Sequence, residues 1–142
     1  MEFEKLELDN LIDALEPYQQ ELVKELVNNY GLDGALDKWL TAQGPVNMVK
    51  FGGVQEKENN FKERYKNEIN KFLCGHPDYQ NERKEFGKIN DSSKTIVISG
   101  LSAFIGSKLG VAATVISPAI VISLGLAGKM GVKAYCSGIS FE

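Results

Sequence analysis

The sequence predicts an all-α fold, in which a small bundle of amphipathic helices precedes an apolar C-terminal helical hairpin rich in Gly and Ala. Two observations support this prediction. Apolar residues recur every three or four positions through the first 90 residues, which is the spacing of one helix face. Charge then becomes sparse, because residues 95–142 hold only Lys108, Lys129, Lys133 and Glu142.

Charge also suggests how the chain is divided. We expect residues 1–91 to form a soluble amphipathic region, with an internal loop at about 45–54, and residues 92–142 to form the hairpin. The two parts are expected to pack as one domain, since 142 residues is an ordinary domain size. Residues 1–94 carry 13 Lys and Arg against 18 Asp and Glu. The chain therefore offers no basic surface for nucleic acid.

Proline and glycine predict the joints of the N-terminal bundle. A short helix is expected over residues 8–15, where four apolar side chains share one face. Glu16 precedes Pro17, and the residue before a proline avoids helical geometry, so a joint is expected there. Pro17 suits the first turn of a second helix that ends at Gly31. A third helix follows and ends at the Gly-Pro pair of residues 44–45.

Two charged helices are expected between the loop and the hairpin. The first ends at Gly75, and the second starts near Pro77. We expect the apolar stripes of the bundle and of the first charged helix to cover the hairpin, with Trp39, Tyr18 and Tyr30 anchoring the bundle. The predicted shielding stripe is Leu22, Leu26, Tyr30, Trp39, Phe61, Tyr65, Ile69 and Phe72.

The hairpin has the length but not the composition of a single membrane span. Residues 109–128 contain no charge, and twenty helical residues span about 30 Å, the thickness of a hydrocarbon core. Three glycines and the central Pro118 oppose insertion of one isolated helix. We therefore predict a helix over residues 93–108, a turn, and a second helix over residues 118–135 with Ser117 as its N-cap. The alternative is three short strands at KTIVIS, ATVIS and AIVIS, because β-branched runs favour strands.

Helices that are apolar nearly all round need a cover. Three covers are open: the amphipathic helices of the same chain, lipid, or further copies of the chain. Gly106 and Gly110 form a G-x-x-x-G pair that allows close helix approach, and Lys108 suits a hairpin turn at an interface better than a dry core. The predicted membrane or oligomer residues are Ile96, Ile98, Leu101, Phe104, Gly106, Gly110, Val111, Val115, Ile116, Pro118, Ile120, Ile122 and Leu124.

This pattern predicts a non-enzymatic protein that acts on membranes or self-assembles through residues 93–136. In layout it resembles small bacterial effectors and toxins, in which a soluble helical part is joined to a Gly/Ala-rich hydrophobic hairpin. The resemblance implies that the hairpin is the active part, shielded until a partner or trigger releases it. The alternative is a soluble helical protein–protein interaction module with the hairpin permanently buried. The expected partners are lipid, copies of the chain or another protein, with no nucleic acid and no small-molecule substrate.

We expect no catalytic residue, no cofactor and no metal. Cys74, His76 and Asp78 lie close together in FLCGHPDY, but a structural zinc site needs four ligands and the chain has one His and two Cys. We interpret this stretch as a helix end. The carboxylate pairs, such as Asp33 with Asp37, are interpreted as solvated charges. The loop KFGGV has two glycines but lacks the G-x-x-x-x-G-K-[ST] pattern of a phosphate-binding loop.

The two cysteines, Cys74 and Cys136, are expected to be reduced thiols. The acidic stretch MEFEKLELDN lacks the basic and apolar regions of a signal peptide, so secretion by a classical signal is not expected. The predicted location is cytoplasmic, with membrane association through the hairpin, and cytoplasmic thiols stay reduced.

Overall fold

The computed structural model describes residues 8–43, 54–88 and 93–139, and this part of the chain is all-α, as predicted. The described residues contain no β-strand, so the alternative of three short strands is wrong. All three β-branched runs lie in helices, because tertiary packing overrides their intrinsic β propensity. The loop expected at about 45–54, including most of the KFGGV stretch, lies almost wholly outside the described residues.

Seven α-helices follow one another along the described chain, with single turns of 3-10 helix at Ile12–Ala14 and Pro77–Tyr79. They are α1 (Leu8–Leu11), α2 (Pro17–Gln43), α3 (Val54–Leu73), α4 (Gln80–Gly87), α5 (Lys94–Leu109), α6 (Ala113–Met130) and α7 (Val132–Cys136).

The joints lie where proline and glycine predict them. Pro17 begins α2, and Gly31 breaks it into two helical segments, with φ 74° and ψ 174°. A positive φ of this size is readily adopted only by glycine. Gly75, with φ 89°, follows the end of α3 in the same left-handed region. Local backbone chemistry therefore confirms three of the predicted boundaries.

Helix α6 lies at the centre of the molecule. It packs against α5, the other arm of the hairpin, and against α1, α2 and α3 of the amphipathic region. Every residue from Pro118 to Gly125 is buried, as are Ile116 and Ala127. The second hairpin helix is therefore covered by the amphipathic helices of the same chain, together with α5.

The second hairpin helix starts five residues earlier than predicted. Helix α6 begins at Ala113, so Pro118 lies in its second turn, and the prediction that Pro118 is the first helical residue is wrong. Ser117 is not an N-cap, because its Oγ lies 2.9 Å from the Ala113 carbonyl oxygen inside the helix and 3.0 Å from Ser102 Oγ. The helix continues through the proline because side chains of α2 supply hydrogen-bond donors at that point, as described below.

The shielding stripe predicted on α2 is rotated. Leu22 and Tyr30 are 43% and 51% exposed, and Tyr18 is also exposed, so these three side chains do not cover the hairpin. Gln19 and Val23 face the core instead. Apolar residues occupy a wide arc of this helix, so their spacing alone left its rotation undetermined. The other predicted shielding residues are buried or half-buried: Leu26, Trp39, Phe61, Tyr65, Ile69 and Phe72.

Candidate functional site: the apolar hairpin and the contacts that hold it

The turn between α5 and α6 requires glycine at two positions. Gly110 has φ 76°, and its N–H donates to the Gly106 carbonyl oxygen, which also accepts the Val111 N–H at 2.9 Å. A Cβ on Gly106 would lie 2.7 Å from the Val111 carbonyl oxygen. The G-x-x-x-G pair therefore shapes the hairpin turn, where the backbone of α5 lies directly against the backbone of the turn.

Two side chains of α2, which we call the α2 clamp, hold the beginning of α6. Pro118 has no N–H, so the Thr114 carbonyl lacks its usual partner four residues on. The Gln19 side-chain amide donates to this oxygen at 2.9 Å. The Trp39 indole N–H donates to the next carbonyl, that of Val115, at 2.8 Å. Both clamp side chains are buried, and buried polar groups normally find partners in this way.

A polar pair joins the middle of α6 to α3. The Tyr65 hydroxyl and Ser123 Oγ are 2.9 Å apart, and both residues are buried. Burial raises the pKa of Tyr65 well above its ordinary value, since a phenolate would lose its water shell there. Among the described residues, no buried side-chain nitrogen or oxygen lacks a hydrogen-bond partner. The few polar side chains buried in the apolar core therefore all have hydrogen-bond partners.

Lys108 anchors the hairpin turn to α3. Its ammonium lies 3.4 Å from Glu68 Oε1 and 4.7 Å from the ring centroid of Tyr79. The Tyr79 hydroxyl donates to the same Glu68 oxygen at 2.7 Å, and burial and this bond together raise the pKa of Tyr79. The Arg64 guanidinium donates to the Lys108 carbonyl at 3.1 Å. Lys108 therefore lies at the turn and outside the dry core.

The end of the hairpin is joined covalently to the end of α3. Cys74 and Cys136 form a disulfide, with their Cα atoms 5.7 Å apart, so the expectation of two reduced thiols is wrong. The fold explains the error. Gly131, with φ 87°, turns α7 back toward α3 and brings together two cysteines that are 62 positions apart in sequence. The Tyr135 hydroxyl donates to Asn70 Oδ1 at 2.6 Å and strengthens this junction.

The FLCGHPDY stretch is a helix end, as interpreted from the sequence. Cys74 follows α3 and is bonded to Cys136, while His76 precedes the 3-10 turn and accepts the Asp78 N–H on Nδ1 at 3.1 Å. The Arg83 guanidinium donates to the carbonyl oxygens of Lys71, Phe72 and His76 at 3.2, 3.2 and 2.8 Å. The carbonyls of Lys71 and Phe72 lie in the last turn of α3, where a helix leaves its carbonyls without intrahelical partners.

A cleft of about 500 Å³ opens between the second segment of α2, α3 and the end of the hairpin. Asp33, Asp37 and Lys66 are among its charged lining residues. The Asp37 carboxylate lies 3.9 Å from the Lys66 ammonium. Asp33 and Asp37 are both exposed, so the two carboxylates form part of a solvated charged surface. The described residues hold no group of three His, Cys, Asp or Glu side chains that could bind a metal.

The outward side of α5 differs from the exposed sides of α2 and α3 because it carries no charge. Between residues 95 and 107 there is no Asp, Glu, Lys or Arg, whereas Glu21, Lys24 and Glu25 of α2 are all exposed. Ile96 is 74% exposed. We call this surface the α5 outer face; its exposed residues are Thr95, Ile96, Ser99, Gly100, Ala103 and Ser107.

The predicted hairpin residues therefore divide into three groups. Phe104, Val111 and Val115 are half-buried, whereas Ile96 on the α5 outer face and Gly110 in the turn are exposed. The remaining predicted hairpin residues are buried: Ile98, Leu101, Gly106, Ile116, Pro118, Ile120, Ile122 and Leu124.

Gln19, Glu68 and the disulfide are among the contributors to the site that were not predicted. A proline inside a long apolar stretch does signal that one carbonyl needs a foreign donor. Nothing local indicates that Gln19, 95 positions earlier, supplies it. The partners of Glu68 and of Cys74 are equally non-local, so each became apparent only from the fold.

Helix α6 is long and apolar enough to cross a membrane, and it is the one such helix in the described ranges. In the structure 56% of its residues are buried inside the protein. The core helix of a water-soluble bundle has the same length and composition, so the destination of α6 has to be inferred from its surroundings.

Comparison with protein-family models, with curated proteins and with solved structures gives no match. Fold and site together define a structural class: a helical bundle that encloses one arm of an apolar hairpin and leaves an uncharged face of the other arm in water. What such a protein does must be inferred from this geometry.

Proposed function

We propose that this protein stores a membrane-acting hairpin. Helices α1–α4 keep α6 covered in water, and their release lets α5 and α6 enter a lipid bilayer together. The observation that carries the proposal is the uncharged α5 outer face, which lies beside an α6 that is also uncharged as far as Gly128. A helix that only ever meets water on one side normally carries charged residues there.

The positions of the lysines support this proposal. Lys94 and Lys108 bracket α5, and Lys129 lies at the end of α6, so the charges sit at helix ends and the middles are free of them. Helices of 16 and 18 residues are about 24 and 27 Å long, close to the thickness of a hydrocarbon core. Lysines at helix ends can extend their ammonium groups to the membrane surface.

The hydrogen bonds of the hairpin support it as well. Ser102 donates to the Ile98 carbonyl at 2.7 Å, and Ser117 lies within bonding distance of Ser102 and of the Ala113 carbonyl. These partners belong to the hairpin itself, so both hydroxyls would stay satisfied in lipid, where no water replaces a lost partner. Among the serine hydroxyls of the buried interface, Ser123 depends on a residue outside the hairpin, Tyr65.

A second candidate function is supported by the burial of α6. A soluble interaction module would keep α6 as its permanent core and would use the α5 outer face to bind another protein or a second copy of the chain. The two functions differ in what happens to α6: it moves into lipid in the first and never leaves the bundle in the second.

Vesicle flotation separates the two functions. The protein is warmed through its unfolding transition and cooled with phosphatidylcholine–phosphatidylglycerol vesicles, in both oxidised and reduced form, and is then floated on a density gradient. Ala103→Glu places a charge on the α5 outer face, and Asn81→Glu places the same charge on an exposed position of α4. We expect the parent and Asn81→Glu to float equally and Ala103→Glu to float about tenfold less, because a charge at the centre of an inserted helix opposes insertion.

Two results would contradict the membrane proposal. One is recovery of the parent protein in the aqueous fraction under every condition. The other is equal flotation of Ala103→Glu and Asn81→Glu, which would mean that the hairpin is not the part that meets lipid. The first result combined with a stable dimer, detected by size-exclusion chromatography with light scattering and lost in Ala103→Glu, would favour the interaction module.

A further inference from the structure

We propose that the Cys74–Cys136 disulfide is a redox latch. While the bond is closed, the hairpin stays in the bundle; when a dithiol reductant opens it, α7 detaches and the end of α6 is free to leave. The purpose of the latch rests on the proposed function, but its mechanical effect can be measured without lipid.

The placement of the bond is the first argument. Cys74 directly follows α3, a helix of the cover, and Cys136 is the last residue of α7, which continues the hairpin. The bond is thus a covalent link between cover and hairpin, added to the main chain that joins α4 to α5. At the opposite end of α6, Gln19 and Trp39 hold the helix to α2 by hydrogen bonds, without a covalent bond. Helix α6 is therefore fixed at both ends, but covalently at only one.

The second argument is that little else holds α7. It is five residues long and has no buried residue, and a helix of this length is unstable on its own. The Tyr135 hydroxyl bonds to Asn70, and Val132 and Tyr135 are partly packed against the core. A single side-chain hydrogen bond and a small packed area cannot replace a covalent bond that closes a loop over 62 positions.

The third argument is access. Cys74 and Cys136 are both half-buried, and each is followed by an exposed residue, Gly75 and Ser137. A thiolate of the reductant can attack one of the two sulfurs, forming a mixed disulfide and releasing the other as a thiolate. The second thiol of the reductant then displaces the first sulfur. Two electrons and two protons pass to the protein, leaving two cysteine thiols and an oxidised reductant.

The latch also determines where the hairpin is released. A disulfide persists in oxidising surroundings and is reduced in a cytosol that holds thioredoxin-like dithiols. The closed form therefore belongs to an oxidising compartment, and opening belongs to a reducing one such as the cytoplasm. This order gives the hairpin a trigger that depends on the redox state of the compartment.

Hydrogen exchange tests the latch directly. Amide exchange is followed by mass spectrometry for the oxidised protein, for the same protein in dithiothreitol, and for Cys74→Ser/Cys136→Ser with and without dithiothreitol. On reduction we expect residues 124–136 to exchange at least about tenfold faster, and to accelerate by a larger factor than the second segment of α2. The double variant should exchange fast in both conditions, and reoxidation of the parent should restore protection.

Equal protection of residues 124–136 before and after reduction would overturn the latch. If the double variant does not fold, the oxidised and reduced forms of the parent still decide the question. A flotation experiment without warming keeps the two proposals apart. Faster exchange on reduction without vesicle binding supports the latch and contradicts the membrane function, whereas vesicle binding that is equal in oxidised and reduced protein, with unchanged exchange, contradicts the latch alone.

Discussion

At the scale of single residues, one missing N–H explains why a polar side chain of α2 is buried against α6. Pro118 leaves the Thr114 carbonyl without its helical donor, and in a buried environment an unpaired carbonyl costs about 1–3 kcal/mol. The Gln19 amide removes that cost by reaching the carbonyl from α2. Gln19 is therefore buried on a face of α2 where the neighbouring positions are apolar. Because this face of α2 is turned toward the core, Tyr18 and Leu22 point outward.

A double-mutant cycle tests this pairing. Gln19→Met keeps the side-chain length but removes the donor, and we expect it to lower the free energy of unfolding by about 1–3 kcal/mol. In a Pro118→Ala background residue 118 regains its N–H, so Thr114 has a helical partner and Gln19→Met should cost about 1 kcal/mol less. Urea unfolding of the four proteins gives the coupling. An equal cost in both backgrounds would mean that Gln19 does not compensate for the proline.

Two glycines of α5 should respond oppositely to the same substitution. At Gly106 a new Cβ meets the Val111 carbonyl oxygen at 2.7 Å, whereas at Gly100 it meets nothing within 4 Å. We expect Gly106→Ala to destabilise the protein by about 1–3 kcal/mol through overpacking. Gly100→Ala should stabilise it by about 0.5–1 kcal/mol, because alanine is the better helix former. Thermal unfolding measures both, and a stabilising Gly106→Ala would show that the turn is not tightly packed.

The buried Tyr65 makes stability depend on pH in the alkaline range. Its pKa is raised above the usual value of about 10, so the folded protein keeps a proton that the unfolded chain loses. Stability from this group is complete below pH 10 and falls above it, by about 1.4 kcal/mol per pH unit. Urea unfolding between pH 9 and about pH 11.5 should show a steeper decline for the parent than for Tyr65→Phe. Parallel declines would place Tyr65 in contact with water.

At the scale of helices, the sequence was informative wherever the cause is local. Pro17, Gly31 and Gly75 lie at boundaries because of their own backbone chemistry. The alternation of charged and apolar stretches likewise identified α5 and α6 as a hairpin. The rotation of α2 and the early start of α6 were missed, because the contact that accompanies both joins residues 95 positions apart.

The rotation of α2 can be tested with two neighbouring residues. Leu22 is 43% exposed, whereas Val23 is fully buried. We expect Leu22→Gln to change stability by less than about 0.5 kcal/mol. Val23→Gln should cost about 2 kcal/mol or more, because it places an amide in the apolar core. Chemical unfolding of the two variants provides the comparison, and the reverse order of stabilities would restore the originally predicted stripe.

At the scale of the whole molecule, storage of the hairpin requires a bundle that is stable when closed and weak when open. Helix α6 is the core of the bundle, so it cannot leave unless the bundle loses most of its stability. A domain of this size is stable by only about 5–15 kcal/mol. Any single device that contributes a few kcal/mol therefore controls whether α6 can be released.

The stability that the disulfide contributes is of the required size. Closing a loop over 62 positions lowers the entropy of the unfolded chain and stabilises the folded state by about 4 kcal/mol. We expect reduction, or Cys74→Ser/Cys136→Ser, to lower the free energy of unfolding by about that amount, as measured by urea unfolding with and without dithiothreitol. The control is a broken surface ion pair. Asp37→Asn removes the carboxylate that pairs with both Lys62 and Lys66, and it should lower the free energy of unfolding by less than about 1 kcal/mol. If reduction lowers the free energy of unfolding by no more than Asp37→Asn does, the closed and open forms are about equally stable. The disulfide would then not decide whether the bundle holds or releases the hairpin.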